Sequence, residues 1–257
     1  MSEQPIQIRK LEGSKDAQNA YCCMTEVPTP WPEAVCLCRD WISENLGVHV
    51  EGYHLQLENG DVIGHIYYAP SERALFPYRV EPDVCVLYCE WIQTRYHGLG
   101  YGKQLSEIFL SDMQSAGMKG ILVESTDLEG QMHYQHYLGR GFCIVSEKEH
   151  RKLLYLPLDQ SQVDITPLER HLQPHQGTPV EIVIINGYLC PYEVSSQLVL
   201  RQVAMEFADR VVMKEVSLTP ETLQYYGDSR GIFINGKQKL LGGESEQAVR
   251  QAILEEL

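Results

Sequence analysis

Hydrophobic positions along the chain repeat with two periods, and the switches between them mark the elements. Ile6 and Ile8 alternate with polar neighbours, which predicts a strand over Gln4–Leu11. Val35, Cys38, Ile42 and Leu46 recur every three to four residues and predict a helix within Glu33–Leu46. Two strand-like runs, Tyr53–Glu58 and Asp61–Tyr68, are joined by Asn59-Gly60, a dipeptide that predicts a tight hairpin with both turn residues at positive φ. Val84–Ile92 is rich in β-branched and aromatic residues and predicts a strand that ends at a glycine-rich loop. Leu105, Phe109 and Met113 then give a helix over Lys103–Ala116 one apolar face. Strand Ile121–Thr126, helix Gln131–Leu138 and a strand opening at Phe142–Val145 follow.

The pattern breaks over Asp159–Pro179, where Pro167, Pro174 and Pro179 and several Gln leave little periodicity. Beyond it a compact series resumes: strand Val180–Asn186, helix Val194–Ala208, strand Arg210–Ser217, helix Pro220–Tyr226, strand Gly231–Asn235, strand Gln238–Leu241 and helix Ser245–Leu257. That order is βαβαββα, with Asn235-Gly236 as its hairpin turn. The expectation is two α/β domains, 1–156 and 180–257, joined by a linker over 157–179. A chain of 257 residues is long enough for two cores.

Charge narrows the partners. The net charge is −14, made of −8 over residues 1–156 and −6 over the remainder. Such a chain has no overall field that attracts nucleic acid or an anionic membrane face, so an anionic ligand must be held by local donors. No stretch approaches the roughly 20 apolar residues that cross a bilayer, and the N-terminal residues lack a leader's pattern. Eight cysteines, among them Cys22-Cys23 and Cys36-x-Cys38, do not form a small disulfide framework and lack paired Cys-x-x-Cys metal spacing, even with His49 or His54 added. Reduced thiols, a cytoplasmic location and no metal are expected.

The candidate chemistry begins at His97-Gly98-Leu99-Gly100-Tyr101-Gly102-Lys103, between a predicted strand and a predicted helix. Such a loop aims backbone N–H groups and a helix N-terminus at one point, where phosphate oxygens fit. A Walker loop needs Ser or Thr after its lysine, and Gln104 follows Lys103. A dinucleotide fingerprint needs its third glycine one residue later. A glycine-rich turn without a ligand is the plain alternative.

The run Ile92–Gly102 resembles the acetyl-CoA loop of the GNAT acetyltransferases, Gln/Arg-x-x-Gly-x-Gly/Ala. Two registers are open, Arg95-x-x-Gly98-x-Gly100 and His97-x-x-Gly100-x-Gly102; the second puts Ile92 at the hydrophobic strand end. Downstream, Tyr137-x-x-x-Gly141-Phe142 resembles the same family's Tyr-x-x-x-Gly-Phe. The resemblance implies a GNAT fold with a mixed central sheet over residues 1–156. It implies transfer of acetyl from acetyl-CoA to an amine in a ternary complex, between strands that splay apart at Ile92 and Glu124. It further implies pyrophosphate on the amides of His97 to Lys103, thioester polarisation by the Ile92 N–H and Tyr137 as acid toward the thiolate. Glu90, on the face of Ile92, is the candidate base, with Tyr88 and Glu124 behind it; otherwise Glu90 is an ordinary carboxylate.

The βαβαββα series, with Cys190-Pro191-Tyr192-Glu193 at its first helix entry, resembles a thioredoxin-like domain. Glu193 stands where the second cysteine would be, and Arg230 where a cis-proline would be. Both departures weigh against dithiol exchange, which leaves Cys190 either a single reactive thiol or incidental. The pairing of the two domains resembles YoaP-like acetyltransferases. The alternative function is an acyl-CoA-binding redox or sensor protein that uses Cys190. The acceptor and the oligomeric state are not legible.

Overall fold

The computed structural model describes residues 5–24, 32–128, 132–175, 177–240 and 244–257. Gln4, Gln131 and Leu241, expected at the ends of elements, lie outside these residues. The described residues fall into two compact units. One is drawn from Met1–Val27, Ser43–Ala74 and Val80–Ile165, the other from Pro28–Ile42, Leu75–Arg79 and Thr166–Leu257. This grouping differs from the expected contiguous division, 1–156 and 180–257, in that residues 32–42 and 75–79 fall with the C-terminal part. The expected linker also holds a short strand, Ile165–Pro167. Hydrophobic period marks an element but does not say which core receives it.

The first unit is built on seven strands: β1 (Ile6–Lys10), β2 (Glu51–Leu57), β3 (Val62–Pro70), β4 (Val84–Ile92), β5 (Gly120–Thr126), β6 (Cys143–Lys148) and β7 (Arg151–Pro157). Their order is β1-β2-β3-β4-β5-β7-β6. Only β4 and β5 run parallel, so the sheet is mixed, as expected. The sequence reading passed over β7, which inserts between β5 and β6 and buries Leu153 and Leu154. Helix α1 (Ser14–Ala17) precedes β2, as does α2 (Pro32–Asn45), most of which groups with the second unit; α3 (Tyr101–Ser115) and α4 (Tyr134–Leu138) follow β4 and β5. Leu105, Phe109 and Met113 of α3 pack with Leu55, Ile66, Leu87 and Val123 in one core, which fixes α3 against that face of the sheet.

The β2–β3 hairpin departs from the expected turn. Gly60 alone takes positive φ, and the Leu57 N–H and Gly60 N–H bonds close a longer loop in which Asn59 Oδ1 accepts from the Asp61 N–H at 3.0 Å. A side-chain-capped turn with glycine in the left-handed position replaces the two-residue form.

The second unit runs β8 (Val180–Asn186), α5 (Pro191–Ala204), β9 (Val211–Ser217), α6 (Pro220–Tyr226), β10 (Gly231–Ile234), β11 (Lys237–Leu240) and α7 (Glu246–Leu254), close to the expected elements. Its sheet order is β9-β8-β10-β11, with β8 and β9 parallel and the other pairs antiparallel. Ile182, Ile184, Leu200, Ile234, Val249 and Ile253 form its core. Asn235 and Gly236 both take positive φ, as their hairpin requires.

Candidate active site

The site starts from a break in the sheet. The parallel ladder of β4 with β5 runs from Val84–Gly120 to Leu87–Val123 and stops, although both strands continue. On the other side, β4 keeps pairing with β3 through Gly64–Ile92, with a bulge between the Tyr67 and Tyr68 pairs that leaves Tyr88 extra. The bulge resets the alternation, so Leu87, Glu90 and Ile92 share the face toward α3, while Cys89 and Trp91 take the other. The Gln93 N–H bonds Ile63 O at 2.8 Å. Gly64 and Ile92 are therefore a non-hydrogen-bonded pair, and the N–H and C=O of Ile92 point away from β3 toward the side that β5 has left. Two residues back, Glu90 points its main-chain groups the same way. A short open strand edge results.

Beyond Ile92 the chain makes one 3₁₀ turn (Thr94–Tyr96) and enters the glycine loop. Gly98 and Gly100 have φ of +78° and +80°, values that L side chains take only with strain. Gly100 is the N-cap of α3 and offers no side-chain cap, so the first-turn amides face the loop's concave side. Gly102 stands in the first turn, where a Cβ would lie 3.4 Å from Ile92 Cγ1. A cleft of about 370 Å³ opens here, lined by Ile92, His97, Gly98, Gly100, Tyr101, Gly102 and Lys103. Of the expected loop residues, Tyr101 is buried in the core while lining the cleft, and Leu99 turns onto the core without lining it. Arg95 is bonded to Gln93 Oε1 and stacked over Tyr96, off the cleft, which favours the register beginning at His97. The His97 Nε2–H donates to Ile92 O at 2.7 Å and ties the loop to the strand end.

The opposite wall carries charge that the sequence reading missed. Glu90 is buried in it. Arg140 Nη1 donates to both Glu90 oxygens, at 2.8 and 2.9 Å, and to Ser106 Oγ at 2.7 Å. His136 Nε2 lies 2.6 Å from Glu90 Oε1. His136, Arg140 and Ser106 all line the cleft. The available signal was the four-residue spacing of His136 and Arg140, which puts both on one side of the α4 turn. Glu90, the candidate base, is thus a carboxylate engaged by two neighbours.

Tyr137 is not a cleft residue. Its ring is 2 % exposed and packs edge-on against Phe142 and His136, at 5.3 and 5.2 Å between centroids. Burial, and then the Glu90 charge, hold its phenol well above the usual tyrosine range. Tyr88 donates its hydroxyl to His49 O. Glu124 lies on the face opposite Val123, with Arg151 at 3.7 Å. On that same face Cys22 Sγ and Cys89 Sγ flank the two ring nitrogens of His65, at 3.2 and 3.3 Å. Burial pushes the His65 imidazole down to about 3, so it is neutral. Among the described residues no three His, Cys, Asp or Glu are placed to hold a metal, none of the eight cysteines is joined in a disulfide, and no helix is long and apolar enough to cross a membrane.

In the second unit Cys190 is the half-buried N-cap of α5, followed by Pro191. Glu193 and Arg230, the two departures noted in the sequence, are ion-paired at 2.6 Å.

No family model matches the chain, and no curated protein matches it. Solved structures do. An acetyltransferase of the GNAT family from Desulfovibrio desulfuricans superposes with a TM-score of 0.50 at 15 % identity, over 60 % of this chain and 100 % of that one. The ribosomal-protein-S18-alanine N-acetyltransferase of Escherichia coli gives 0.45 at 16 %, over 62 % and 97 %. A GNAT family acetyltransferase from Brucella melitensis, in complex with acetyl-CoA, gives 0.41 at 20 %, over 64 % and 96 %. The first likeness establishes a GNAT acetyltransferase fold over about three-fifths of the chain.

Proposed function

We propose that the first unit is an N-acetyltransferase that binds acetyl-CoA in the β4–α3 cleft and passes the acetyl group directly to an amine in a ternary complex. The observation that carries this reading is the open edge of β4 at Ile92, set beside a helix N-terminus entered through Gly98 and Gly100. The residues present fit acetyl-CoA. The first-turn amides and helix dipole of α3 suit a pyrophosphate, and the outward main-chain groups of Glu90 suit an extended amide-bearing arm. The bound co-substrate supplies an activated acyl thioester. The Ile92 N–H would polarise the thioester carbonyl, and a fixed dipole there needs no reorganisation during reaction. Lys103 adds positive charge to the lining of the cleft. The acceptor is an amine on a small molecule or a peptide.

The second unit reads as a thioredoxin-like module without a dithiol. Its strand order, the antiparallel β8–β10 pairing beside the parallel β8–β9 pair, and Cys190 at the entry of α5 support that reading. The Glu193–Arg230 ion pair occupies the positions a second cysteine and a cis-proline would hold, so exchange through an internal disulfide is not part of it.

The test is direct. Acetyl-CoA at about 100 times its Kd should stabilise the full chain by about 2.7 kcal/mol through mass action, read as a rise in thermal midpoint. An amine screen with thiol release as readout should then return a substrate. A chain that neither shifts nor releases thiol from acetyl-CoA refutes the reading.

A further inference from the structure

The departing thiolate of an acyl transfer needs a proton, and His136 is a group on the cleft wall able to give it. Tyr137, to which the GNAT resemblance assigns that task, sits behind the wall in the core. One residue earlier on the same turn, His136 faces the cleft. Its Nε2–H points at Glu90 Oε1, 2.6 Å away, which leaves Nδ1 as the nitrogen available to a ligand. The arrangement has a clear logic: a carboxylate fixes the tautomer and ring plane of an imidazole whose other nitrogen exchanges protons.

We propose that His136 is the proton donor to the CoA thiolate, with Glu90 as its positioning residue. This rests on the acetyltransferase reading above. In the step, the amine nitrogen bonds to the carbonyl carbon and the carbon–sulfur bond breaks, its electron pair leaving on sulfur. The sulfur takes the proton from Nδ1 of the imidazolium. The nitrogen's surplus proton goes to solvent, and Nδ1 recovers a proton from solvent before the next cycle.

Arg140 gives the device its second feature. Arg140 binds both Glu90 oxygens and offsets the carboxylate charge that the imidazole faces. The charged and titratable groups facing the imidazole are Glu90 from β4, Tyr137 and Arg140 from the α4 turn, and Lys103 from the α3 side of the same cleft.

The experiment uses the full chain and has two arms. Imidazole ¹⁵N NMR follows the His136 titration in wild type, Arg140→Gln and Glu90→Gln. The midpoint should rise in Arg140→Gln and fall in Glu90→Gln; a midpoint indifferent to both removes Glu90 and Arg140 from any hold on the imidazole and overturns the proposal. In the second arm, thiol release is measured with the best amine of the screen, or by slow acetyl-CoA hydrolysis where no amine reacts. His136→Gln should lower kcat on the order of a hundredfold while the acetyl-CoA thermal shift persists. Tyr137→Phe should change kcat little. The high-pH limb of wild type should move upward in Arg140→Gln. Unchanged kcat in His136→Gln, with wild type active, overturns the proposal and spares the acetyltransferase reading; a wild type that binds no acetyl-CoA removes both.

Discussion

A single added methyl group tests the glycine loop, because the structure supplies its own control. Gly100 begins α3 with φ +80°, and Gly117, just past the other end of the helix, has φ +76°. A Cβ built at either position meets nothing within 4 Å. Replacing each by Ala therefore imposes the same backbone strain, on the order of 1–2 kcal/mol for an L-residue in the left-handed region. At about 2–4 °C per kcal/mol for a protein of this size, both variants should melt a few degrees below wild type. The difference lies in what the methyl faces. At Gly100 it stands on the concave side of the loop, between the first-turn amides and any phosphate that approaches them. At Gly117 it faces solvent away from the site. Acetyl-CoA at a concentration near 100 times its wild-type Kd should add about 2.7 kcal/mol to wild type and to Gly117→Ala. Most of that increment should vanish in Gly100→Ala. The assay is a pair of thermal melts per protein, with and without acetyl-CoA. Equal ligand shifts in the two variants would show that the loop does not hold the phosphates, whatever the activity of the chain.

Three further outcomes follow from particular contacts. Glu90→Leu should cost about 3 kcal/mol in urea unfolding, the low end for a buried pair because Arg140 keeps some solvent, while Glu90→Leu with Arg140→Leu should return close to wild type; two additive losses would refute the pairing. In the C-terminal unit, hydrogen bonds from Arg201 hold Glu215 at about 2, and those from Lys239 and then Lys237 hold Glu256 at about 2, both from an ordinary 4.5. Their folded pKa values are depressed, so their stabilisation is complete above about pH 4.5 and is lost as pH falls toward 2. Urea midpoints across that window should fall less steeply in Glu256→Gln; an identical slope would exclude it. Gly236→Ala should destabilise this unit by about 2–3 kcal/mol, since it has φ +74° and a Cβ there would lie 2.5 Å from Gln173 O; a midpoint within error of wild type would contradict the turn.

What was legible in the sequence was whatever repeats locally. Leu105, Phe109 and Met113 announce the face of α3 by spacing alone, and Ile182 and Ile184 announce β8 in the same way. Asn235-Gly236 announces its turn because both residues accept positive φ, whereas Asn59-Gly60 does not: there Asn59 spends its side chain on the Asp61 amide and only Gly60 enters the left-handed region. The same dipeptide thus serves two turns, and the choice is made by hydrogen bonds outside it. β7 was passed over although Leu153, Leu154 and Tyr155 are buried; they form a consecutive apolar run like that of β8, so alternation is not what separates the strand that was read from the one that was not. The grouping of residues 32–42 and 75–79 with the C-terminal unit leaves no mark on the period of either segment.

The site was half legible for a reason that can be stated from one residue. Tyr88 is the extra residue of the β4 bulge, and no local pattern in Val84–Ile92 reveals it. Counting by twos from Val84 or Val86 puts Glu90 on the face opposite Leu87; the bulge carries Glu90 over to Leu87's side, against α3 and the α4 turn. Once there, a carboxylate within the sheet must be compensated, and the compensation came from Arg140 and His136, some fifty residues along the chain. Pairwise chemistry of this kind is invisible to periodicity, yet it was constrained. An arginine inside the Tyr137–Phe142 segment and a glutamate on a strand otherwise apolar are each costly alone, and they become affordable only together. Two charged residues in two apolar settings are therefore a signal of contact in their own right, and here that contact closes the wall of the cleft.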